Sequence, residues 1–299
     1  MVNKSHEITV GDFFKRLFND KWLVVLITGL VSIAFVILAL YLPNKYKSDV
    51  LLMPIVEQDT NLAGLGSQLG SLASIAGIDL GGQSDKTDLA IATLKSRTFL
   101  MNFINENQLK VELLGVKSWD YATNQYIYDD EVYDHVNNKW VRESSTIKQA
   151  EPSLLEAYIY FMEELLEVDK DKETGFVRIT IKHVSAQFAE RVATQLIISI
   201  DEKLRADAAN ETERSIEFLK EAIKESDNSD LKILLYNLID QEVQKKMLTK
   251  VKENYAFKVI DKAVIAEEKY SPRRALLCIF GFILGGGISC IVVFIRALR

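Results

Sequence analysis

Two uncharged apolar runs lie near the two ends of the chain, and they constrain its fold more than any other feature. The first run covers residues 22–42 and the second covers residues 275–295. Neither run contains an Asp, Glu, Lys, Arg or His residue. Because a helix of about 20 apolar residues crosses the hydrocarbon core of a bilayer, each run is long enough to span a membrane once. The sequence therefore predicts two transmembrane helices and one large domain, residues 43–274, on one side of the membrane.

The first run is typical of a retained anchor and not of a cleaved signal peptide. It is longer than the apolar core of a signal peptide, which has about 7–15 residues, and no small-x-small cleavage site follows it. Pro43 directly follows Leu42 and is expected to end the helix. We therefore expect this segment to remain in the mature protein.

Charges beside the two runs give opposite indications of orientation. Lys15, Arg16 and Lys21 lie just before the first run, against Lys45 and Lys47 just after it, which favours a cytoplasmic N-terminus. Lys262, Lys269, Arg273 and Arg274 lie on the domain side of the second run, against only Arg296 and Arg299 beyond it, which favours the opposite orientation. Because the first helix usually dominates and long loops translocate largely regardless of charge, both tails, residues 1–21 and 296–299, are expected in the cytoplasm. The large domain is then expected on the outer side.

The domain between the runs is acidic and has no cysteine. It holds 30 of the 36 Lys and Arg residues and 39 of the 42 Asp and Glu residues, which gives a net charge of −9. An acidic surface argues against nucleic acid as a partner. The two cysteines, Cys278 and Cys290, both lie in the second run, so no disulfide is expected in the domain.

Apolar spacing predicts the secondary structure of this domain. Strands are predicted over residues 46–56, 174–184 and 257–265, and shorter helices over 86–108 and 153–168. Ser153 and Glu156 have the spacing of a capping box at the start of the second short helix. The strand near Tyr46 and the strand that leads to the second run both adjoin a span, so they are expected to pair.

A long helical hairpin is predicted over about residues 186–255. Its first helix runs to about residue 226, and a turn over 225–230 offers Ser229 or Asp230 as the N-cap of the second helix. Residues 209–217 are polar on nearly every side, and a helix of that composition cannot be buried in a compact core. This part of the hairpin is therefore expected to project from the domain or to bridge to another surface.

The second helix of the hairpin has an apolar residue at every fourth position. These residues are Leu231, Leu235, Ile239, Val243, Met247, Val251 and Tyr255. A step of four residues overshoots a helical turn by about 40°, so the apolar stripe winds around the helix. That winding favours packing inside an assembly over a two-stranded coiled coil. An ordinary hairpin whose stripe is broadened by neighbouring leucines is an equally good interpretation.

Motifs for catalysis or cofactor binding are not found in the sequence. It contains no phosphate-binding loop, no HExxH motif and no Ser/His/Asp signature, and the glycines at 64, 66 and 70 lack dinucleotide spacing. His183 ends a predicted strand and is interpreted as a structural residue. The acidic pairs at 129–130 and 163–164 are typical of solvated surfaces and only weakly suggest glycosidase carboxylates. We expect no cofactor, no metal and no enzymatic activity.

One segment of the domain combines aromatic residues with Asp and Asn. The aromatic residues that we nominate as glycan contacts are Trp119, Tyr121, Tyr126, Tyr128 and Trp140, and Tyr133 and His135 lie among them. Aromatic faces stack on pyranose rings, while carboxylates and amides bond hydroxyl groups. The simpler interpretation is that these aromatics hold a long polar excursion onto the domain.

The second apolar run carries small residues at every fourth position. Gly281, Gly285 and Ser289 lie on one face of the expected helix. Small residues allow transmembrane helices to approach closely. We expect this face to pack against the first span or against another subunit, although glycine is also frequent in membrane helices for no such reason.

Several segments together resemble the Wzz-type polysaccharide co-polymerases, which are the chain-length determinants of bacterial O-antigen and related polysaccharides. Beside the two terminal spans, the resemblance rests on IATLKSRTFLMNFINENQL (91–109), TGFVRITIKHVSAQFAERVATQLI (174–197), ERSIEFLKEAI (213–223) and ENYAFKVIDKAVIAEEKYSPRRAL (253–276). The family usually has several prolines before the second span, whereas this chain has only Pro272 there.

The resemblance implies a fold and a location. Two transmembrane helices would flank an α+β periplasmic domain with long extended helices, and both termini would lie in the cytoplasm of a bacterium, with the spans in its inner membrane. Copies would form a closed homo-oligomeric ring, commonly of about eight subunits. Because the chain ends four residues after Ile295, it resembles the kinase-free class 1 rather than relatives that continue into an ATPase.

The resemblance also implies a function in lipopolysaccharide or related glycan biosynthesis. The chain would regulate polysaccharide length together with a membrane Wzy-type polymerase that acts on lipid-linked polysaccharide, with no enzymatic activity of its own and no nucleic-acid partner. Three alternatives come from other classes. The chain could activate a separate tyrosine kinase in exopolysaccharide or capsule export, act as a two-span sensor, for which the short tails leave no output domain, or act as a glycosidase or transferase.

Overall fold

The computed structural model describes residues 21–55, 83–145, 148–252 and 254–298. Contacts between residues divide the chain into two units, residues 1–46 with 268–299 and residues 47–267. In chain order the helices and strands are α1 Lys21–Tyr41, β1 Tyr46–Pro54, α2 Gln83–Lys95, α3 Arg97–Glu106, α4 Lys110–Leu114, β2 Val116–Asp120, β3 Gln125–Tyr128, β4 Tyr133–Asp134, β5 Lys139–Trp140, α5 Leu154–Tyr160, β6 Leu166–Lys170, β7 Val177–His183, α6 Ala186–Glu225, α7 Ser229–Val251, β8 Phe257–Asp261 and α8 Arg274–Leu298. The glycines at 64, 66 and 70 lie outside the described residues.

The first unit contains a pair of packed apolar helices, α1 and α8. Both helices are long and apolar enough to cross a membrane. Their rings meet at Phe35 and Phe280, whose centroids lie 6.1 Å apart. Most of their large side chains, such as Leu30 and Ile283, are exposed in the isolated chain. An apolar surface of this extent is typical of contact with lipid or with other membrane helices.

The second unit is built on a four-stranded sheet with the order β6-β7-β1-β8. Strands β1 and β8 are antiparallel, with Leu52 opposite Val259 and Pro54 opposite Phe257. The predicted pairing of the strand near Tyr46 with the strand before the second span is therefore confirmed. Strands β6 and β7 also run antiparallel, with Val168 opposite Ile179.

The core of the second unit lies between this sheet and the helices α2, α3, α5 and the first half of α6. The sheet contributes residues at alternate positions, among them Val50, Leu52, Ile179 and Ile181, because successive side chains of a strand point to opposite faces. The first half of α6 buries Phe188, Ala189, Val192, Ala193, Leu196 and Ile200 in the same cluster. Apolar burial of this kind contributes about 25 cal/mol per Å².

The helix predicted over residues 86–108 is two helices in the structure, so that prediction is wrong in its continuity. Helix α2 ends at Lys95 and α3 begins at Arg97. Ser96 lies between them with an extended backbone, and its side chain accepts a hydrogen bond from the Phe99 N–H. Because Ser96 takes an extended backbone to cap α3, helix α2 has to end before it. The spacing of apolar residues does not report on such a capping hydrogen bond, so it could not predict this break.

The helix predicted over residues 153–168 is also shorter than expected. Helix α5 ends at Tyr160, a π-helical turn covers 161–165, and strand β6 starts at Leu166. Ser153 is the N-cap and accepts a hydrogen bond from the Glu156 N–H. The Glu156 carboxylate pairs with Arg142 at 2.7 Å, so only the serine half of the predicted capping box is observed.

Helices α6 and α7 form the predicted long hairpin, which ends at Val251 and not near residue 255. Asn228 is the N-cap of α7, because its Oδ1 atom accepts hydrogen bonds from the N–H groups of Asp230 and Leu231. The expectation of Ser229 or Asp230 at that position is wrong by one or two residues. The stretch 209–217 lies on α6 within this hairpin, where Thr212 and Ile216 are buried.

Candidate functional site

The nominated aromatic residues lie on two small hairpins, β2–β3 and β4–β5. Trp119 of β2 is directly opposite Tyr126 of β3. Because side chains two residues apart share a strand face, Tyr128 lies on the same face as Tyr126. Tyr121 follows β2 and contacts Trp119, with ring centroids 5.4 Å apart. Four of the five nominated residues therefore share one side of this hairpin.

Ring contacts continue from the first hairpin to the second. Tyr128 contacts both Tyr133 and His135, at centroid distances of 5.8 and 5.3 Å. Tyr133 in turn contacts Trp140, the fifth nominated residue, at 5.0 Å. We refer to Trp119, Tyr121, Tyr126, Tyr128, Tyr133, His135 and Trp140 as the aromatic face. Glycan contact by this face remains a prediction, whereas its assembly is a structural observation.

Polar side chains close the turns of both hairpins. Asp120 accepts hydrogen bonds from the Thr123 hydroxyl and the Ala122 N–H, and these bonds lower the pKa of its carboxyl. Asp134 accepts hydrogen bonds from the side chain and backbone of Asn137 and from the Val136 N–H, which lowers its pKa in the same way. These bonds fix the turns that carry the aromatic residues.

Glu112, on α4, connects the aromatic face to α6. It accepts a 3.0 Å hydrogen bond from the Tyr126 hydroxyl and pairs with Arg191 of α6. Burial and the adjacent Glu112 charge raise the pKa of Tyr126 to about 12. The pKa of Tyr128 is also raised, mainly by burial and to a lesser extent by electrostatic repulsion from Tyr133 and Glu112.

His183 is a buried neighbour of this connection. Its Nδ1 atom accepts a hydrogen bond from the Ser185 N–H, so the proton of the neutral ring lies on Nε2, which donates to the Glu112 carbonyl at 3.1 Å. The ring also packs on Phe188, with centroids 4.0 Å apart. These contacts agree with the interpretation of His183 as a structural residue.

The small-residue face of α8 lies against α1. A Cβ atom added to Gly281 would lie 2.6 Å from the Cβ of Phe35, and one added to Gly285 would lie 3.1 Å from the Cα of Thr28. Ser289 is fully buried, and its hydroxyl donates a 2.7 Å hydrogen bond to the Gly286 carbonyl. The structure thus places the face between the two apolar helices of one chain, while its role in a membrane remains a prediction.

Helix α7 exposes large apolar side chains on several sides. Those exposed are Leu231, Ile233, Leu234, Tyr236, Leu238, Met247, Leu248 and Val251. Within α7, the partly buried members of the predicted stripe are those in its middle, Leu235, Ile239 and Val243, and Tyr255 beyond the end of α7 is also partly buried. The stripe winds as its four-residue step predicts, since Leu231 before this middle part and Met247 and Val251 after it are exposed. We refer to the exposed set as the α7 apolar surface.

The structure offers no metal centre within the residues that it describes, since no group of three or more His, Cys, Asp or Glu side chains is placed to hold an ion. The acidic pairs 129–130 and 163–164 are partly or fully exposed, and they belong to different elements. The features that stand out chemically are therefore surfaces: the aromatic face, the α7 apolar surface and the apolar helix pair.

Comparison with known proteins gives one family. Residues 6–107 match the family model Wzz, described as chain length determinant protein. No curated protein matches the chain. The match covers about a third of the chain, supports a Wzz-type chain-length determinant and agrees with the resemblance that the sequence indicated. It supports regulation of polysaccharide chain length in a membrane protein with two spans. Chain length determinants of this family are regulators and not catalysts, which supports the expectation that the chain has no enzymatic activity.

Solved structures give weaker likenesses. A full-length bacterial polysaccharide co-polymerase is 14% identical, covers 97% of this chain and 98% of its own, and has a TM-score of 0.39. A fragment of WzzB, a polysaccharide co-polymerase from Salmonella Typhimurium, is 12% identical, covers 76% of this chain and 100% of its own, and has a TM-score of 0.33. At these scores neither likeness carries an argument.

The link between Glu112 and Arg191 was not found by sequence reasoning. The two residues are 79 positions apart, and although Arg191 lies in the segment 174–197 that carries the resemblance, nothing in that segment points to Glu112. Arg191 lies one turn after Phe188 on α6, and its guanidinium carbon lies 5.5 Å from that ring. A charged residue beside an aromatic one at helical spacing is too common a pattern to predict such a link.

Proposed function

We propose that the protein is a ring-forming co-polymerase that sets the length of a surface polysaccharide such as O-antigen. It acts with a Wzy-type polymerase that extends lipid-linked repeats in the bacterial inner membrane. Residues 47–267 lie in the periplasm, and both termini lie in the cytoplasm. The Wzz family match over residues 6–107 supports the chain-length role. The ring and the polymerase partner are supported by the surfaces described above.

The α7 apolar surface is the observation that carries this proposal. At 100° per residue, its members cover more than half of the circumference of α7. Asp240, Gln244 and Lys245 are exposed among these members, but large apolar side chains exposed over so much of one helix are typical of a contact surface. Helix α6 covers only the side of α7 that carries Leu235, Ile239 and Val243. Further copies of the hairpin would bury the remaining sides.

Identical copies that meet through different surfaces form a ring when the rotation between neighbours closes. The α7 apolar surface extends over several sides of the helix, so two neighbouring copies can contact it at different places. The outer side of α6 exposes Glu202, Lys203, Asp207 and Arg214, and we expect it to remain in solvent. Contact of each α7 with a neighbour on either side favours a closed assembly over a two-fold dimer.

The apolar helix pair supports contact with a membrane polymerase. Leu26, Ile33, Ile279 and Phe282 are all exposed on α1 and α8 in the single chain. Such side chains pack against lipid or against other transmembrane helices, which associate by close van der Waals contact. A ring of spans could therefore hold the polymerase while the domains stand beside the growing chain.

The ring is tested by the mass of the detergent-extracted protein. Leu234→Glu combined with Leu248→Glu places two charges on the α7 apolar surface, and both side chains are more than half exposed in the chain, so the fold should survive. Ala206→Glu combined with Asn210→Glu adds the same charge to exposed positions of α6. Native mass spectrometry should give one defined oligomer for the wild type and for the α6 control, and smaller species for the α7 variant. A monomeric wild type, or an α7 variant with unchanged mass, would contradict the proposal.

A further inference from the structure

We propose that the aromatic face binds uncharged pyranose rings of the polysaccharide whose length the protein regulates. The proposal rests on the chain-length function for the identity of the glycan, but its physical basis is separate. It depends on the geometry of the rings, the rigidity of the two hairpins, the exposed amides beside them and the local charge.

Two ring pairs give the aromatic face its shape. Trp119 and Tyr121 stand at 78° to each other and form a corner, and 53% of the Tyr121 surface is exposed. Tyr128 and His135 are nearly parallel, at 7°, and form a flat stack. Aromatic rings present a broad apolar surface with a polar edge. The C–H faces of a pyranose ring fit such a surface while its hydroxyl groups remain in water.

The hairpins hold these rings in place before any ligand arrives. The Trp119 indole N–H donates a 3.1 Å hydrogen bond to Oδ1 of Asn124, which has a positive φ of 54°. The Tyr133 hydroxyl donates to Asn138, whose φ is 51°. Hydrogen bonds to Asp120 and Asp134 hold the turns at the tips of the β2–β3 and β4–β5 hairpins. A surface that is already ordered loses less conformational entropy on binding.

Polar groups that can bond sugar hydroxyls lie beside the rings. Asn137 and Asn138 are exposed at the tip of the β4–β5 hairpin, where Asn137 also donates to Asp134 and Asn138 accepts from Tyr133. An amide side chain offers both a donor and an acceptor, which suits hydroxyl groups that are themselves both. Apolar rings with a rim of amides are therefore better matched to a sugar than to an apolar protein surface.

Charge selects among the glycans that could bind here. Residues 116–140 contain five acidic side chains, Asp120, Asp129, Asp130, Glu131 and Asp134, against two lysines, Lys117 and Lys139. A net negative surface repels uronic acids, phosphates and anionic lipid headgroups. The fitting occupant is thus a neutral hexose or an N-acetylated amino sugar.

The test uses the full-length protein in detergent, labelled with 5-fluorotryptophan. The chain has three tryptophans, at 22, 119 and 140, so the ¹⁹F spectrum is simple and a Trp119→Phe variant assigns the key resonance. The probes are maltohexaose, cellohexaose and chitohexaose, with hexagalacturonate as the anionic counterpart. We expect at least one neutral probe to shift the Trp119 resonance saturably and hexagalacturonate to bind at least about ten-fold more weakly, a difference of about 1.4 kcal/mol.

Two substitutions on the same hairpin identify the binding surface. Tyr121→Ala should weaken binding of the neutral probe about ten-fold. Ile127→Ala is the matched control, because Ile127 is 51% exposed and lies on the opposite face of β3, and it should leave binding unchanged. Both side chains are exposed, so neither variant should unfold. The mass of each variant is measured in parallel.

The outcomes separate this proposal from the proposed function. The glycan site is overturned by the absence of a saturable shift with every neutral probe, by equal binding of the anionic probe, or by binding that Tyr121→Ala does not affect. A Tyr121→Ala variant with unchanged sugar binding and reduced oligomer mass would assign the face to subunit contact instead. Each result is obtained in purified protein, whereas the chain-length function is judged by the polysaccharide made in cells.

Discussion

The Nη2 atom of Arg191 lies 2.6 Å from both carboxylate oxygens of Glu112. The same carboxylate accepts the hydrogen bond from Tyr126. One acidic residue therefore joins the start of the long helix α6 to the hairpin that carries the aromatic face. Helix α6 pairs with α7 in the long hairpin. The link therefore connects the aromatic face, through α6, to the hairpin whose α7 apolar surface we propose as the subunit contact.

Replacement of Glu112 should loosen this link. In Glu112→Gln, the charge-assisted bond from Arg191 is lost, and since Arg191 is partly exposed we expect a loss of only about 1 kcal/mol. The thermal midpoint of the full-length protein should fall by about 2–4 °C. Near-ultraviolet circular dichroism follows the unfolding, and Glu163→Gln, an exposed carboxylate on the turn after α5, serves as the control. Equal thermal midpoints for the two variants would show that the Glu112–Arg191 pair does not stabilise the fold.

Tyr126 should make the stability of the folded protein depend on pH in the alkaline range. Its folded pKa of about 12 lies above the ordinary value of 10.0, so the folded state holds the phenol proton more tightly than the unfolded state does. Its contribution to stability is complete below pH 10 and is lost as the pH rises towards 12. Wild type minus Tyr126→Phe difference spectra at 295 nm should show one phenol that ionises near pH 12. A single phenol that titrates near pH 10 would contradict the burial of this side chain.

Asp49 should make the stability of the folded protein depend on pH in the acidic range, with stability lost as the pH falls. Burial raises the pKa of its carboxyl, but hydrogen bonds from Thr180, at 2.6 Å, and from Lys47 outweigh burial, and the net pKa lies below the ordinary 3.8. Its contribution is therefore present above pH 3.8 and is lost as the pH falls through the lower, folded pKa. Asp49→Asn should be less stable than the wild type by about 1 kcal/mol at pH 7.

Urea unfolding of both proteins at a series of pH values measures this difference. The difference in the free energy of unfolding between wild type and Asp49→Asn should narrow steadily below pH 3.8, because the wild-type carboxylate becomes protonated. A gap that stays constant from pH 7 to the lowest pH at which the protein folds would show that the Thr180 contact does not depend on the charge.

The extent of the helices and the sheet could be read largely from the sequence, and the reasons are physical. Long apolar runs and strict alternation report directly on burial, so both spans, β1, β7, β8 and α6 lie within a few residues of their predicted positions. Helix ends depend on single hydrogen bonds instead. Ser96 and Asn228 each accept backbone N–H groups and so determine where α3 and α7 begin.

Contacts between distant residues could not be predicted from the sequence. The aromatic residues were nominated because they are neighbours along the chain, but the single face that they share depends on the register between Trp119 and Tyr126. The Glu112–Arg191 link and the Asp49–Thr180 hydrogen bond join residues 79 and 131 positions apart. Such pairs follow from the order of the strands and from the docking of α6, which no local pattern encodes.

The glycines of α8 provide a test of the apolar helix pair with a built-in control. Gly281→Leu should force α1 and α8 apart, because even a Cβ atom at this position would lie 2.6 Å from Phe35. Gly286→Leu adds the same side chain at a position with no neighbour within 4 Å. The thermal midpoint in detergent should fall for Gly281→Leu by several degrees, as expected for overpacking by about 1–3 kcal/mol, and should not fall for Gly286→Leu. Equal effects of the two substitutions would show that this packing is not used in the membrane.

The length distribution of the surface polysaccharide tests the chain-length function most directly. The gene is deleted, and the strain is complemented with the wild type, with Leu234→Glu/Leu248→Glu or with Ala206→Glu/Asn210→Glu, at equal protein levels. On gels that resolve each repeat, the deletion and the α7 variant should lose the modal cluster of chain lengths, while the wild type and the α6 control restore it. A deletion strain whose banding is unchanged would contradict the function, and an α7 variant that restores the cluster would contradict the role of the ring.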